Sequence, residues 1–416
     1  MKGKIIRICI IGLLIGTSIS LVNSVSACTG FTASKEGNVL VGSNFDWSMD
    51  FNVYMNVYPE GEGKYGRIIF DIWWPWFGFD HTLPIQGMND QGLFVDTYMT
   101  PEHPVDYSGK PLFFDDEDPE YYNNSLYAYC LAKCSTISEV LDVYLNQYDQ
   151  WWPDGISQGQ IMFADANGDS IIIEDYDTMI YREGDFQVVT NFLQSDPGLG
   201  GYPCWRYDKA VSMLENMTDL SVDYFTSICD ATHVDNSVFS NVYDLKQEKI
   251  WTYHFYDYDN VLEIDLNEEL SNGYSRTYLG SLFEPEGNQP PNKPNKPLGN
   301  KTGIPDIEYK YKCKRTTDPD GNKITYLFDW GDTTDSGWLP KQFTTYMVAS
   351  HKWDKPGNYQ VKVKAMDIYG RESECSDPLD VIIPRTKAIN RPFFNFLENH
   401  PLLYRFLQLF FQRLGL

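Results

Sequence analysis

The sequence predicts an α+β chain made of two unlike domains, a mixed α+β or layered αββα domain followed by an all-β sandwich. Three observations carry that expectation. The chain has 416 residues, more than one hydrophobic core usually organises, because single cores stop growing at roughly 250–300 residues. A stretch rich in Pro and polar residues, 284–297, divides the chain unequally and reads as a semi-rigid extended linker. The apolar pattern also changes across that stretch: strand and helix periods mix before it, and strict alternation prevails after it.

The elements follow in order. Lys2, Lys4 and Arg7 precede an apolar run from Ile8 to Val22, and Val25 and Ala27 place compact uncharged residues at a cleavage position. Residues 1–27 therefore read as a signal peptide; the run of about 15 residues is shorter than the roughly 20 a spanning helix needs. A secreted or cell-surface location follows. Residues 28–283 are expected to form the layered domain. Within it, Ile161–Asp165 and Ser170–Glu174 flank Asn167-Gly168, a pair suited to the positive φ angles of a tight hairpin. Thr136 and Glu139 form a capping box that opens the helical stretch Val140–Leu145.

After the linker, Ile307–Cys313, Ile324–Phe328 and Tyr359–Ala365 alternate polar with apolar residues, the period of strands buried on one face. Residues 298–384 therefore read as an antiparallel sandwich. Residues 385–416 carry a formal charge of +4 on an otherwise acidic chain. Their last segment, 401–416, reads as a helix with Pro401 at its start. At 1.5 Å per residue it covers about 24 Å, too short to cross a bilayer comfortably. Two readings stay open: contact with a membrane surface, or docking on the protein itself.

The net charge of −25 and the pI near 4.5 exclude nucleic acid as a partner, since phosphate binding depends on Lys and Arg displacing counterions. The six histidines show no short paired spacing, so neither a metal nor another cofactor is expected. The eight cysteines are more informative. In an exported protein Cys313 and Cys375, both in the second domain, are the pair expected to form a disulfide. Cys130 and Cys134 stand four apart on a helix, where a disulfide would be strained. Cys28 would become the first residue once the leader is removed. It would then carry a thiol, with an ordinary pKa of about 8.5, beside a free amine of about 7.7–8.0, and so would hold nucleophile and base on one residue.

Five ordered motifs begin at that cysteine: Cys28-Thr-Gly-Phe31, Gly42-Ser-Asn-Phe-Asp-Trp47, Gly87–Leu93, Val189-Thr-Asn-Phe192 and Gly198–Tyr207. Together they resemble the choloylglycine hydrolase and penicillin acyltransferase group of N-terminal nucleophile (Ntn) hydrolases. The resemblance implies an Ntn αββα sandwich that cleaves a linear, non-peptide amide through a thioester. It implies Cys28 as nucleophile, Asp46 as partner of its amine, Asn191 as oxyanion donor and Arg206 as organiser of the local charge. Two positions depart from the bile salt and penicillin V hydrolases: Ser43 stands where they have Arg, and Met99 where they have a second oxyanion Asn. The acyltransferase branch tolerates the first change.

The second domain has its own resemblance. Thr317–Asn322, Phe328-Asp-Trp-Gly-Asp332, His351-Lys-Trp353 and Gly357–Val363 are similar to the polycystic kidney disease (PKD) domain. That family implies an immunoglobulin-like spacer or adhesion module outside cells.

The expected substrate is a small-molecule N-acyl amide. Trp73, Trp74 and Trp76, with Met99, are candidates to line an acyl pocket, although the aromatic run reads equally well as core. Acyl transfer through the same acyl-enzyme is one alternative. A lipid-modified Cys28 on a non-catalytic surface protein is another, and a Cys/His enzyme using His81, His103, His233 or His254 is a third. Oligomeric state is not encoded in any feature of the sequence.

Overall fold

The computed structural model describes residues 28–47, 53–73, 82–104, 126–146, 156–175, 178–339 and 345–384, with positions 400, 403 and 405. The expected leader, residues 1–27, and nearly all of the expected tail lie outside the described residues.

Two antiparallel sheets form the N-terminal domain. The first has the order β10 (Phe186–Val189), β1 (Thr29–Lys35), β2 (Asn38–Asp46), β11 (Ser237–Asp244), β12 (Lys249–His254) and β13 (Val261–Asp265). The second runs β14 (Ser275–Tyr278), β3 (Val53–Tyr58), β4 (Arg67–Trp73), β5 (Thr82–Asn89), β6 (Phe94–Pro104), β7 (Ile156–Ala164), β8 (Ser170–Asp175) and β9 (Thr178–Tyr181).

Alternation along the strands builds the layers. In β2, Val39 and Val41 turn toward the second sheet, where Val57, Ile68, Phe70 and Phe94 meet them. Leu40 turns the other way, as the two-residue period of a strand requires. On that outer side, Phe31 and Val188 pack with α3 (Trp205–Glu215) and α4 (Val222–Thr232) through Ala210, Leu214, Phe225 and Ile228. Outside the second sheet, Ile69, Val95, Phe163 and Ile171 meet α1 (Leu126–Lys133) and α2 (Ile137–Asn146) through Leu131, Ile137 and Val140. Helix α5 (Leu266–Ser271) follows β13 and is capped by Asp265, which accepts from the Glu268 N–H. The order is helix, sheet, sheet, helix: an αββα sandwich.

Local signals have the expected effects with small differences. The Asn167-Gly168 segment joins β7 to β8, but only Gly168 takes positive φ. Asp165 closes the loop instead, accepting from the Asn167 and Asp169 N–H groups. The Glu139 N–H donates to Thr136, while the Glu139 carboxylate reaches Ser135 rather than the cap residue.

The C-terminal domain pairs β15 (Glu308–Lys314) with β17 (Tyr346–Lys352), and β18 (Gly357–Asp367) with both β16 (Ile324–Asp329) and β19 (Leu379–Ile383). Lys310, Lys312 and Lys314 are exposed while Tyr311 and Cys313 are buried. Trp330, Trp353, Phe328 and Val363 fill the space between the sheets.

Two expectations need amendment. Within 284–297, Pro291, Pro294 and Pro297 are buried at every third position, the period of an extended polyproline segment. The Asn292 N–H donates to Thr317 O (2.9 Å), so this stretch lies along the sandwich and is not a free spacer. The expected Cys313–Cys375 disulfide is not formed, and both residues are free thiols. Cys313 belongs to the β15–β17 pair and directs its S–H to Asn295 O. Cys375 runs beside β18, where its neighbour Ser376 bonds Val363. Cys313 is buried in the interior while Cys375 is only half-buried between the inward-facing Ser373 and Ser376.

Phe225, fully buried against Phe31 at 5.2 Å between ring centres, ties α4 to the first sheet. Phe225→Ala is expected to lower unfolding free energy by about 3–5 kcal/mol, read as a shift of the urea midpoint at unchanged slope.

Candidate active site

Residues far apart in sequence meet at one end of the first sheet. Cys28 leads into β1, and Asp46 closes the neighbouring β2. Asn191 lies just beyond β10, on the other side of β1. Arg206, near the start of α3, lies over this end because α3 packs on β10 and β1. All four are buried. Gly201, in the loop before α3, has φ +80°, and a Cβ there would stand 2.5 Å from Asn191 O. Only glycine lets the loop pass that closely.

Arg206 joins the set. Its Nη1 donates to the carbonyl oxygen of Cys28 and to Thr29 Oγ1 (2.8 Å), and its Nη2 donates to Asn191 Oδ1 (3.1 Å). Nη1 also stands 3.7 Å from Asp46 Oδ2. With its oxygen held by Arg206, Asn191 points its NH₂ the other way, donating to Met99 O (2.8 Å). That group keeps a second N–H.

Asp46 is half satisfied. Oδ1 accepts from Ser237 Oγ, whereas Oδ2 is buried and accepts no hydrogen bond among the described residues. Burial pushes the carboxyl up to about 8, against the opposing effects of the Ser237 bond and the Arg206 charge. The guanidinium does not win, because at 3.7 Å it makes no direct bond to offset desolvation.

The Cys28 thiol lies 3.9 Å from Asp46 O. Its pKa is raised, first by burial and then by Asp46 and Asp96, with Arg206 opposing. It is therefore neutral at rest, and attack requires a base in place. The hydrogen bonds of His103, His233 and His351 run to Pro101, Asp230 and Asp332, and His254 stacks on Phe283. His81 lies outside the described residues.

Asp96 approaches from the second sheet. Its Oδ2 accepts from Ser43 (2.5 Å) and Tyr98 (2.7 Å), and its Oδ1 from the Thr97 N–H. Burial pushes this carboxyl up to about 7 despite those three bonds. Ser43, the position that departs from the hydrolases, thus turns its hydroxyl to a buried acid and brings no cation. The Met99 side chain is about one-third exposed at 36%, and only its backbone carbonyl touches Asn191. Trp73 ends β4, but its side chain, like Trp74 and Trp76, lies outside the described residues.

Sequence reasoning did not identify Thr29, Ser237, Asp96 or Tyr98. Asp96 had a local signal: an acid between Phe94 and Tyr98 in a strand, in phase with inward residues. Ser237 had none, since it reaches Asp46 from 191 positions away.

The architecture and the site define a layered α+β domain with a buried cysteine at a sheet end, followed by a separate β-sandwich. Residues 292–383 match the family model described as PKD domain. Among solved structures, the PKD domain of a peptidase from a Thermoplasmatales archaeon is 40% identical, covering 24% of this chain and 100% of that chain, with TM-score 0.22. The C-terminal sandwich is a PKD domain. The N-terminal part is similar to conjugated bile acid hydrolase from Clostridium perfringens. A variant of that protein is 18% identical, covering 60% of this chain and 96% of that one, with TM-score 0.44. A mutant of it gives 17%, 60%, 96% and 0.42. No curated protein matches the chain.

The Asp96 carboxyl, at about 7 when folded against an ordinary 3.8, holds a proton that the unfolded chain releases. Its contribution to stability is complete below the unfolded value and is lost as pH rises through 7. Thermal melts are expected to show Asp96 lowering Tm as pH rises from about 4 to about 7 and having no further effect above that, and Asp96→Asn to remove a slope of order 1 kcal/mol per pH unit within that window. An unchanged fall in the variant would show that Asp96 is not the group titrating.

Proposed function

We propose that this chain is a cysteine Ntn hydrolase that cleaves linear, non-peptide N-acyl amides and becomes active when the bond between Ala27 and Cys28 is cut. One observation carries the reading: Asp46 Oδ2 is a buried acceptor without a donor among the described residues, beside the residue whose amine that cut would free. A cationic or neutral amine at residue 28 would supply the missing hydrogen bond and stabilise the carboxylate.

The chemistry then follows from the residues present. The Cys28 sulfur attacks the amide carbon while its proton passes to the adjacent amine, so no standing thiolate is needed. The tetrahedral oxygen is bound by the second N–H of Asn191 and a backbone N–H. Arg206, bonded to Asn191 Oδ1, fixes which way that amide faces. The amine returns the proton to the leaving nitrogen as the C–N bond breaks, leaving an acyl thioester. Water then adds to the thioester, its hydroxyl going to the acyl group and its hydrogen returning to sulfur. An oxyanion donor of this kind commonly lowers the barrier by about 3–4 kcal/mol.

Ser43 brings no cation and Met99 no side-chain donor, so the proposal does not rest on a bile acid as acyl group; Met99 and the aromatic run at Trp73, Trp74 and Trp76 are proposed to contact the acyl group. The PKD domain suits a location outside the cell or at its surface, and the basic segment 401–416 is proposed to touch a membrane surface there.

Sequencing of the native protein is expected to begin at Cys28. Cys28→Ala should abolish hydrolysis of N-acyl amides without shifting Tm appreciably, and the wild type quenched during turnover should gain the mass of one acyl group. Asn191→Ala should lower kcat by about 100- to 1,000-fold. A native N-terminus elsewhere, or an active Cys28→Ala, would sink this mechanism.

A further inference from the structure

The second sheet reaches across the domain to the segment that carries Asn191. Gln160 lies in β7, is 1% exposed, and pairs across the strands with Tyr98. Its Nε2 donates to Thr190 O (2.6 Å) and to Phe192 O (3.1 Å). One NH₂ group thus holds the carbonyls on both sides of Asn191, with one hydrogen for each. The next pair along the same two strands is Met99 with Gly159, and Met99 O accepts the Asn191 amide. Strands β6 and β7 therefore fix the backbone of Asn191 and one end of its side chain together, while Arg206 holds the other end.

The Gln160 side chain is not simply a satisfied core group. Its Oε1 is buried and accepts no hydrogen bond among the described residues, which is destabilising in itself. Its placement is accounted for by the double donation around residue 191. Thr190–Phe192 follow β10 of the first sheet, so this contact spans the space between the sheets and ties the two halves of the site.

We propose that Gln160 is the positioning residue that sets the Asn191 amide as an oxyanion donor from the opposite sheet; the inference rests on the role given to Asn191 above. It touches neither the nucleophile nor the substrate. Its loss should therefore weaken binding of the tetrahedral oxygen and leave the thiol and ground-state binding unaffected.

The test uses the processed full-length protein and an N-acyl amide that the wild type hydrolyses. Gln160→Met keeps length but removes both donors. It is expected to lower kcat by about 10- to 100-fold, the effect of a small displacement of a catalytic group, with KM changed by less than about twofold. A fatty aldehyde, whose thiohemiacetal places an oxygen at the same point, should inhibit the variant more weakly by a similar factor. The rate of Cys28 alkylation by iodoacetamide should not change.

Gln160→Glu gives an independent readout, and serves alone should the Met variant fail to fold. Its carboxylate repels both carbonyls, but its protonated form donates to one, so activity relative to wild type should rise as pH falls. Unchanged kcat in a folded variant overturns the inference, as does a loss in which alkylation and aldehyde affinity fall together with Tm. A wild type that hydrolyses no N-acyl amide and forms no acyl thioester overturns the parent reading, and this inference with it.

Discussion

The site depends on one buried cation. Arg206 reaches the Cys28 carbonyl, the Thr29 hydroxyl, the Asn191 side chain and the vicinity of Asp46, which come from three separate stretches of chain. A planar guanidinium has the five fixed donors such a junction needs; the compact ammonium of lysine does not. Because the group is buried, its charge is tolerable only while those acceptors surround it, and removing one side of such a buried set commonly costs about 3–5 kcal/mol. Arg206 itself is held in place by the packing of α3 through Ala210 and Leu214 onto the first sheet. The geometry of the chemistry is therefore set by an apolar contact several residues away from it.

Two acids then fix the electrical state of the Cys28 thiol. Asp46 faces it along the first sheet, and Asp96 rises from the second, in a network with Ser43 and Tyr98. Burial raises both carboxyls, to about 8 and about 7. Each one, when ionised, makes a thiolate at Cys28 less favourable. The sulfur therefore rests in its protonated and least oxidisable form. Under the proposed mechanism its reactivity appears only when an amine takes the proton during attack. Arg206 is the one nearby charge among the described residues that favours the thiolate, and it does not overcome burial and the two acids.

Much of the architecture was legible, for reasons that differ by element. The strands of the C-terminal domain announce themselves because lysines alternate with Tyr311 and Cys313, and the αββα layers follow from strands that send Val39 and Leu40 to opposite faces. Cys28, Asp46, Asn191 and Arg206 stood in ordered motifs, and the structure brings those four together. What sequence could not supply was the cross-sheet pairing. Ser237 and Gln160 are ordinary polar residues locally, and only the approach of strands distant in sequence gives them partners. The disulfide expectation failed for a related reason: Cys313 faces the sandwich interior, whereas Cys375 is only half-buried in a segment whose inward positions are Ser373 and Ser376. The proline-rich stretch misled in another way: its composition specifies an extended path, and only the sandwich supplies the surface that covers Pro291, Pro294 and Pro297.

The PKD domain is not a pendant module. Tyr278, the last residue of β14, donates to Ile368 O (2.8 Å), and Asn288 donates to Asp367 (2.8 Å). Between the domains, Val53, Val238 and His254 of the layered domain face Lys323, Thr325 and Ile368 of the sandwich. Val238 is the informative residue in that set. The register between β11 and β2 shifts between Ser237 and Phe239, with Ser237 opposite Asp46 and Phe239 opposite Phe45, so Val238 is the extra residue of a bulge. A bulge re-aims side chains at a strand end. This one lets consecutive residues serve two purposes, Ser237 bonding Asp46 and Val238 packing toward the sandwich. His254, beside it, is driven down to about 3 by burial alone and so stays neutral, as a ring sealed between Phe283 and Tyr369 must. The sandwich covers Val238 and His254 at the end of the first sheet. The bulged residue thus faces the sandwich while its neighbour Ser237 bonds the carboxyl of Asp46.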